Sequence, residues 1–83
     1  MGILYILQSR TTGKYYIGSS NDLNRRLSEH KRAHSLATRG RGLWELVYQE
    51  SFATLAAARK REYEIKAWKS SKRIAILIAG NVG

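Results

Sequence analysis

The sequence predicts a small α+β fold: a three-stranded antiparallel sheet flanked by helices, in the order β-β-α-β-α-α. Three observations predict it. Two short runs rich in β-branched and aromatic residues flank a turn-forming tetrapeptide. Two longer stretches carry apolar residues at helical spacing behind capping residues. And 83 residues suffice for one small domain, so residues 1–83 are read as a single unit.

The elements follow in order. Ile3-Leu4-Tyr5-Ile6-Leu7 is apolar and β-branched, and reads as a strand. Thr11-Thr12-Gly13-Lys14 carries turn chemistry, and Tyr15-Tyr16-Ile17-Gly18 returns as the second strand of a hairpin. Ser19-Ser20-Asn21-Asp22 is a set of N-cap candidates, so a helix starts there. Leu23, Leu27, His30 and His34 mark one face of it. Residues 35–42 read as a basic loop. Trp44 to Gln49 form the third strand, with Trp44, Leu46 and Tyr48 on one face. Thr54 caps a second helix that runs to about Lys69, with Leu55, Ala58, Ile65 and Trp68 as its buried stripe. Residues 74–78 fit a short helix or a strand by composition, and the helix is preferred after Ser70-Ser71-Lys72-Arg73.

Composition narrows function. Fifteen Lys and Arg face six Asp and Glu, a net charge of +9, so a polyanion is the expected partner and nucleic acid the first choice. With no cysteine there is no disulfide, zinc ribbon or thiol nucleophile. No apolar run approaches the ~20 residues of a membrane span, and no secretory signal is visible, so a cytoplasmic setting is expected.

Helix phase singles out one carboxylate. With Leu55 at zero and about 100° per residue, Ala58, Ile65 and Trp68 fall near 300°, 280° and 220°. Glu62 falls at about 340°, inside the sheet-facing arc, and Glu64 near 180°, outside it. A carboxylate turned toward a core must be paired, protonated or metal-bound. A salt bridge to an arginine is the plain explanation; a metal ligand or general acid/base is the functional one. On the first helix Arg26 and His30 are neighbours at i,i+4, a pair best tolerated with the imidazole neutral or an anion between them. Tyr5 and Tyr16 lie on the two hairpin strands, where cross-strand packing alone would account for them. Gly18 ends the second strand where a backbone or ligand comes close.

These residues together resemble the GIY-YIG nuclease domain over essentially the whole chain. The resemblance is carried by Leu4-Tyr5-Ile6, by Tyr16-Ile17-Gly18 with the following Ser-Ser-Asn-Asp-Leu-Asn-Arg-Arg-Leu-Ser-Glu-His, and by Arg61-Glu62-Tyr63-Glu64-Ile65-Lys66-Ala67-Trp68-Lys69. It looks most like small stand-alone bacterial members, related to the nuclease module of the excision repair incision subunit. The name-giving Gly-Ile-Tyr reads Ile3-Leu4-Tyr5 here, with the tyrosine retained. The resemblance implies a DNA endonuclease used in repair or DNA processing, with one Mg²⁺ or Mn²⁺ ion. By the same resemblance, Glu62 would hold the metal. Tyr5 and Tyr16 would lie beside the nucleophilic water, one of them orienting or deprotonating it. Arg26 would stabilise charge on the scissile phosphate, and His30 would assist proton transfer or substrate contact. A late Asn of the family has a candidate in Asn81.

The physics suits those roles. Phosphodiester hydrolysis gathers negative charge on nonbridging oxygens, which a cation pair stabilises. One carboxylate with phosphate oxygens and waters suits Mg²⁺. A phenol is a poor base near neutrality unless cations favour its ionised form. Arg25 on the first helix, and Arg39, Arg41, Lys66 and Lys69 within two basic clusters, residues 39–41 and 59–73, are expected backbone contacts. Neither cluster is expected to carry the interleaved aromatics of a single-strand reader. DNA is the expected substrate, with RNA and a targeting protein partner open. Two rival readings stand beside the nuclease: a non-catalytic nucleic-acid-binding module of the same fold, and a basic domain for a protein partner.

Overall fold

The computed structural model of the chain describes residues 1–10, 12–28 and 44–80. Its sheet contains β1 (Gly2–Ser9), β2 (Tyr15–Ser20) and β3 (Trp44–Phe52). Helix α1 begins at residue 23 and is described to residue 28; α2 spans Leu55–Trp68 and α3 Ser71–Gly80. The strand order is β2-β1-β3, and both pairings are antiparallel. The expected α+β architecture and element order are therefore observed, and residues 74–78 lie in a helix.

Each element forms for a local reason. The β1–β2 turn closes through Ser9 N–H donating to the Lys14 carbonyl at 2.9 Å and Gly13 N–H donating to the Ser9 carbonyl at 2.9 Å. Thr54 Oγ1 accepts from Ala57 N–H at 3.1 Å, an N-cap that satisfies one orphan donor of α2. Lys69 ends α2 in the left-handed conformation, φ 49°, and its N–H reaches the Lys66 carbonyl. Ser70 then caps α3 by accepting from Arg73 N–H at 3.2 Å.

The sheet has two faces with different tasks. Leu4, Ile6 and Ile17 point to one face and form the core with Tyr48, Ile65 of α2 and Ile74 of α3. Half-buried Tyr15, Val47, Phe52 and Trp68 pack around them. Helix α2 lies close on β1: a Cβ built on Gly2 would stand 2.5 Å from the Thr54 carbonyl oxygen.

One expectation about β3 is corrected. Trp44, Leu46 and Tyr48 do not share a face. The pairing with β1 shifts between Ile6 and Leu7: Ile6 faces Tyr48, but Leu7 faces Leu46. Val47 is the extra residue of a β-bulge, and the bulge turns Tyr48 into the core while Trp44 stays on the opposite side with Tyr16. The strand also runs three residues further than its apolar pattern suggests, because Glu50, Ser51 and Phe52 pair with Leu4, Ile3 and Gly2.

Candidate active site

The candidate site is built around β2, an edge strand. Successive side chains of β2 point to opposite faces. Tyr16 and Gly18 therefore share the face of Tyr5, since Gly18 pairs with Tyr5 and Tyr16 with Leu7. The Tyr5 and Tyr16 rings stack with centroids 6.4 Å apart, and Trp44 meets Tyr16 edge-on at 6.3 Å. Tyr5 is 1% exposed and Tyr16 43% exposed. Gly18 makes this possible. A Cβ there would stand 2.6 Å from the Tyr5 hydroxyl and 3.2 Å from the Tyr16 ring, so only glycine lets the phenol lie across the strand.

Ser19 points to the other face, toward α2. Its Oγ donates to Glu62 Oε1 at 2.5 Å, linking residues 43 apart in the chain. Lys66 Nζ donates to the second oxygen, Oε2, at 2.6 Å. Burial of the Glu62 carboxyl works against its charge. Hydrogen bonds from Lys66 and Ser19, with the positive charges of Lys66 and Arg59, outweigh that and hold it below the usual carboxylate range. Glu62 is therefore ionised at neutral pH. Its phase toward the sheet is as expected, but its partners are a serine and a lysine rather than an arginine.

The end of β2 sets the arginines. Ser20 Oγ accepts from Asp22 N–H at 3.0 Å and shapes the turn. Asp22 Oδ1 accepts from Arg25 N–H at 3.1 Å and so caps α1, and Arg26 N–H reaches the Asp22 carbonyl at 3.1 Å. Ser20, Asn21, Asp22, Arg25 and Arg26 line one shallow polar concavity. Three of the four cap candidates thus do different things: Asp22 caps, Ser20 braces the turn and Ser19 holds Glu62.

Arg61, by contrast, is engaged internally. Its Nε lies 3.3 Å from Glu50 of β3, its Nη1 lies 3.5 Å from Glu64, and its guanidinium lies 5.7 Å from the Trp68 ring. The Arg73 guanidinium lies 4.7 Å from the same Trp68 ring. Tyr48 donates to Glu50 in the same network. These two arginines of the α2–α3 basic cluster fasten helices to each other and to the sheet.

The structure thus brings together Tyr5, Tyr16 and Gly18 on one face of the edge strand, and Ser19, Glu62 and Lys66 on the other. Arg25 and Arg26 stand where β2 runs into α1, and Lys69 stands at the end of α2. His30, Arg39, Arg41 and Asn81 lie outside the described residues. Sequence reading missed Ser19, since a serine before a helix signals a cap first. It also missed Tyr63, which is 78% exposed on α2 between Arg59 and Lys66, so that basic cluster does carry an aromatic. Among the described residues there is no cluster of three or more His, Cys, Asp or Glu side chains able to cage a metal. No described helix is long and apolar enough to cross a membrane.

Comparison with known proteins agrees with this arrangement. A UPF0213 protein of Staphylococcus aureus is 36% identical over 75 residues, covering 89% of this chain and 90% of that protein. A UPF0213 protein of Staphylococcus saprophyticus is 35% identical over 78 residues, covering 93% and 94%. The solution NMR structure of a UPF0213 protein from Bacillus halodurans superposes with a TM-score of 0.57 at 32% identity, covering 93% of this chain and 83% of that one. The model of the GIY-YIG catalytic domain matches residues 1–75, which include both tyrosines, Gly18, both α1 arginines and Glu62. The chain therefore belongs to the GIY-YIG family.

Proposed function

We propose that this chain is a metal-dependent endonuclease that hydrolyses phosphodiester bonds in DNA. The observation that carries the reading is Glu62. An ionised carboxylate is fastened by Ser19 to one face of the edge strand β2, whose opposite face bears Tyr16 and whose end leads directly into Arg25 and Arg26. The family, generally one of nucleases, supports the same reading.

The residues fit a divalent ion held through one carboxylate. Glu62 is charged, partly open to solvent at 21%, and each oxygen keeps a lone pair beyond its single hydrogen bond. A lone carboxylate with waters and phosphate oxygens suits Mg²⁺ or Mn²⁺, and suits zinc poorly. When bound, such an ion supplies positive charge to the phosphate.

The chain's own residues do the rest. Arg26, with Arg25 beside it, holds a nonbridging phosphate oxygen and opposes the charge that gathers there. Tyr16 is the more exposed of the two tyrosines; it orients the attacking water, and its phenolate form accepts that water's proton as the new P–O bond forms and the ester P–O bond breaks, the departing oxygen taking a proton from solvent. Tyr5, buried beneath it, fixes the Tyr16 ring. His30 assists proton transfer. Lys69, with Arg39 and Arg41, binds backbone phosphates. DNA is the proposed substrate, in a cytoplasmic repair or processing role.

The test is cleavage by the purified chain. Supercoiled plasmid and branched or single-stranded oligonucleotides are incubated with Mg²⁺, Mn²⁺ or EDTA. Nicking that needs the metal supports the reading. DNA binding without cleavage under every condition would favour a non-catalytic binding module instead.

A further inference from the structure

Glu62 is clamped from two sides by unlike partners. Ser19 belongs to β2, which pairs with β1 along its length, and its hydroxyl reaches Oε1 from inside the fold. Lys66 reaches Oε2 from one turn along the same helix, on a flexible stem whose side chain is 54% exposed. An i,i+4 Glu–Lys pair of this kind is weak and screened by salt. The serine contact ties the carboxylate to the sheet, whereas the lysine contact is made by a half-exposed side chain free to exchange with solvent. The ammonium already pairs with one oxygen of the carboxylate that a metal would bind.

We propose that Lys66 is the resident counter-cation of Glu62, displaced when a divalent metal binds, so that it holds the metal affinity of the free chain low. This rests on the reading of Glu62 as a metal ligand. The two cations compete for one carboxylate. At about 5 Å in a water-like dielectric, a unit charge opposing a double charge changes affinity roughly tenfold. Arg59, which also acts on Glu62 through its charge, adds to the background repulsion but makes no hydrogen bond to the carboxylate among the described contacts.

The test is a Mn²⁺ titration followed by the electron paramagnetic resonance signal of the free ion, without nucleic acid and at low salt. Lys66→Met and Lys66→Gln are expected to bind Mn²⁺ about tenfold more tightly than the native chain. Lys66→Arg keeps the charge and stays near the native affinity. Lys60→Met removes the same charge from the far side of α2 and is the control, with a gain clearly smaller than that of the Lys66 variants because the charge stands farther from Glu62. Unchanged or weaker binding in both neutral variants of Lys66, or an equal gain in Lys60→Met, overturns the proposal. Glu62→Gln separates the two readings. Loss of Mn²⁺ binding in it, together with unchanged affinity on neutralising Lys66, removes only the counter-cation. Native-like binding in Glu62→Gln removes the ligand reading and the proposal with it.

Discussion

Gly18 and the two tyrosines it accommodates show how single atoms shape the site. A methyl group at position 18 would collide with the Tyr5 hydroxyl at 2.6 Å, and Tyr5 is too buried to swing away. Gly18→Ala is therefore expected to destabilise the fold by about 1–3 kcal/mol, read as a lower thermal midpoint. The tyrosines themselves should separate by exposure. Tyr16→Phe keeps the ring and its stacking, removes only the hydroxyl of the more exposed tyrosine, and should slow cleavage by ~10²-fold or more while melting near the native temperature. Tyr5→Phe removes a buried hydroxyl, should cost about 1 kcal/mol of stability, and should slow cleavage less. A kinetic assay beside a thermal melt reads both. Equal, native rates in the two variants would leave the fold intact and remove the phenol from the mechanism. Arg26→Lys should be nearly as damaging as Tyr16→Phe, because an ammonium lacks the planar two-point grip of a guanidinium.

At the scale of elements, α2 is what carries Glu62, and two devices hold it on the sheet. The first is close packing: Ile65 is fully buried against the core, and Gly2 lets β1 run beneath the first turn. Gly2→Ala should lift that turn and lower stability, since backbone atoms rather than a mobile side chain stand in the way. The second is the Tyr48–Glu50–Arg61 network between β3 and α2. Burial, then the Glu50 hydrogen bond and charge, push the Tyr48 hydroxyl up to about 12. A group whose folded value is raised stabilises fully below its unfolded value and loses that contribution as pH rises through the folded one. Denaturant melts should therefore show a loss of order 1–2 kcal/mol between about pH 10 and 12 that is absent from Tyr48→Phe. A pH profile identical in the two chains would contradict the network. Most elements were legible because caps and apolar spacing agree: Thr54 with the 55–68 stripe, Asp22 with Leu23 and Leu27. The bulge at Val47 was not legible. Trp44, Leu46 and Tyr48 alternate cleanly in sequence, and only pairing with β1 reveals that the register slips between them.

At the scale of the whole molecule, a charge of +9 on 83 residues makes phosphate attraction the main source of nucleic-acid affinity. Affinity should fall tenfold or more between about 50 and 200 mM salt, by filter binding or fluorescence anisotropy, and charge reversal at Arg39 and Arg41 should weaken binding to all sequences alike. A flat salt response would point to a protein partner. The site was partly legible at this scale. Helix phase turned Glu62 toward the sheet and Glu64 away, as observed. Its attachment to Ser19 was hidden, because a contact between residues 43 apart depends on how α2 lies on β2 and leaves no local pattern. The most direct measurement of the central claim compares plasmid cleavage and DNA binding by the native chain, Glu62→Gln and Glu64→Gln in Mg²⁺. Glu62→Gln should lose cleavage by at least ~10²-fold while binding DNA as well as or better than the native chain, and Glu64→Gln should keep most of its activity. Native cleavage by Glu62→Gln would contradict the account.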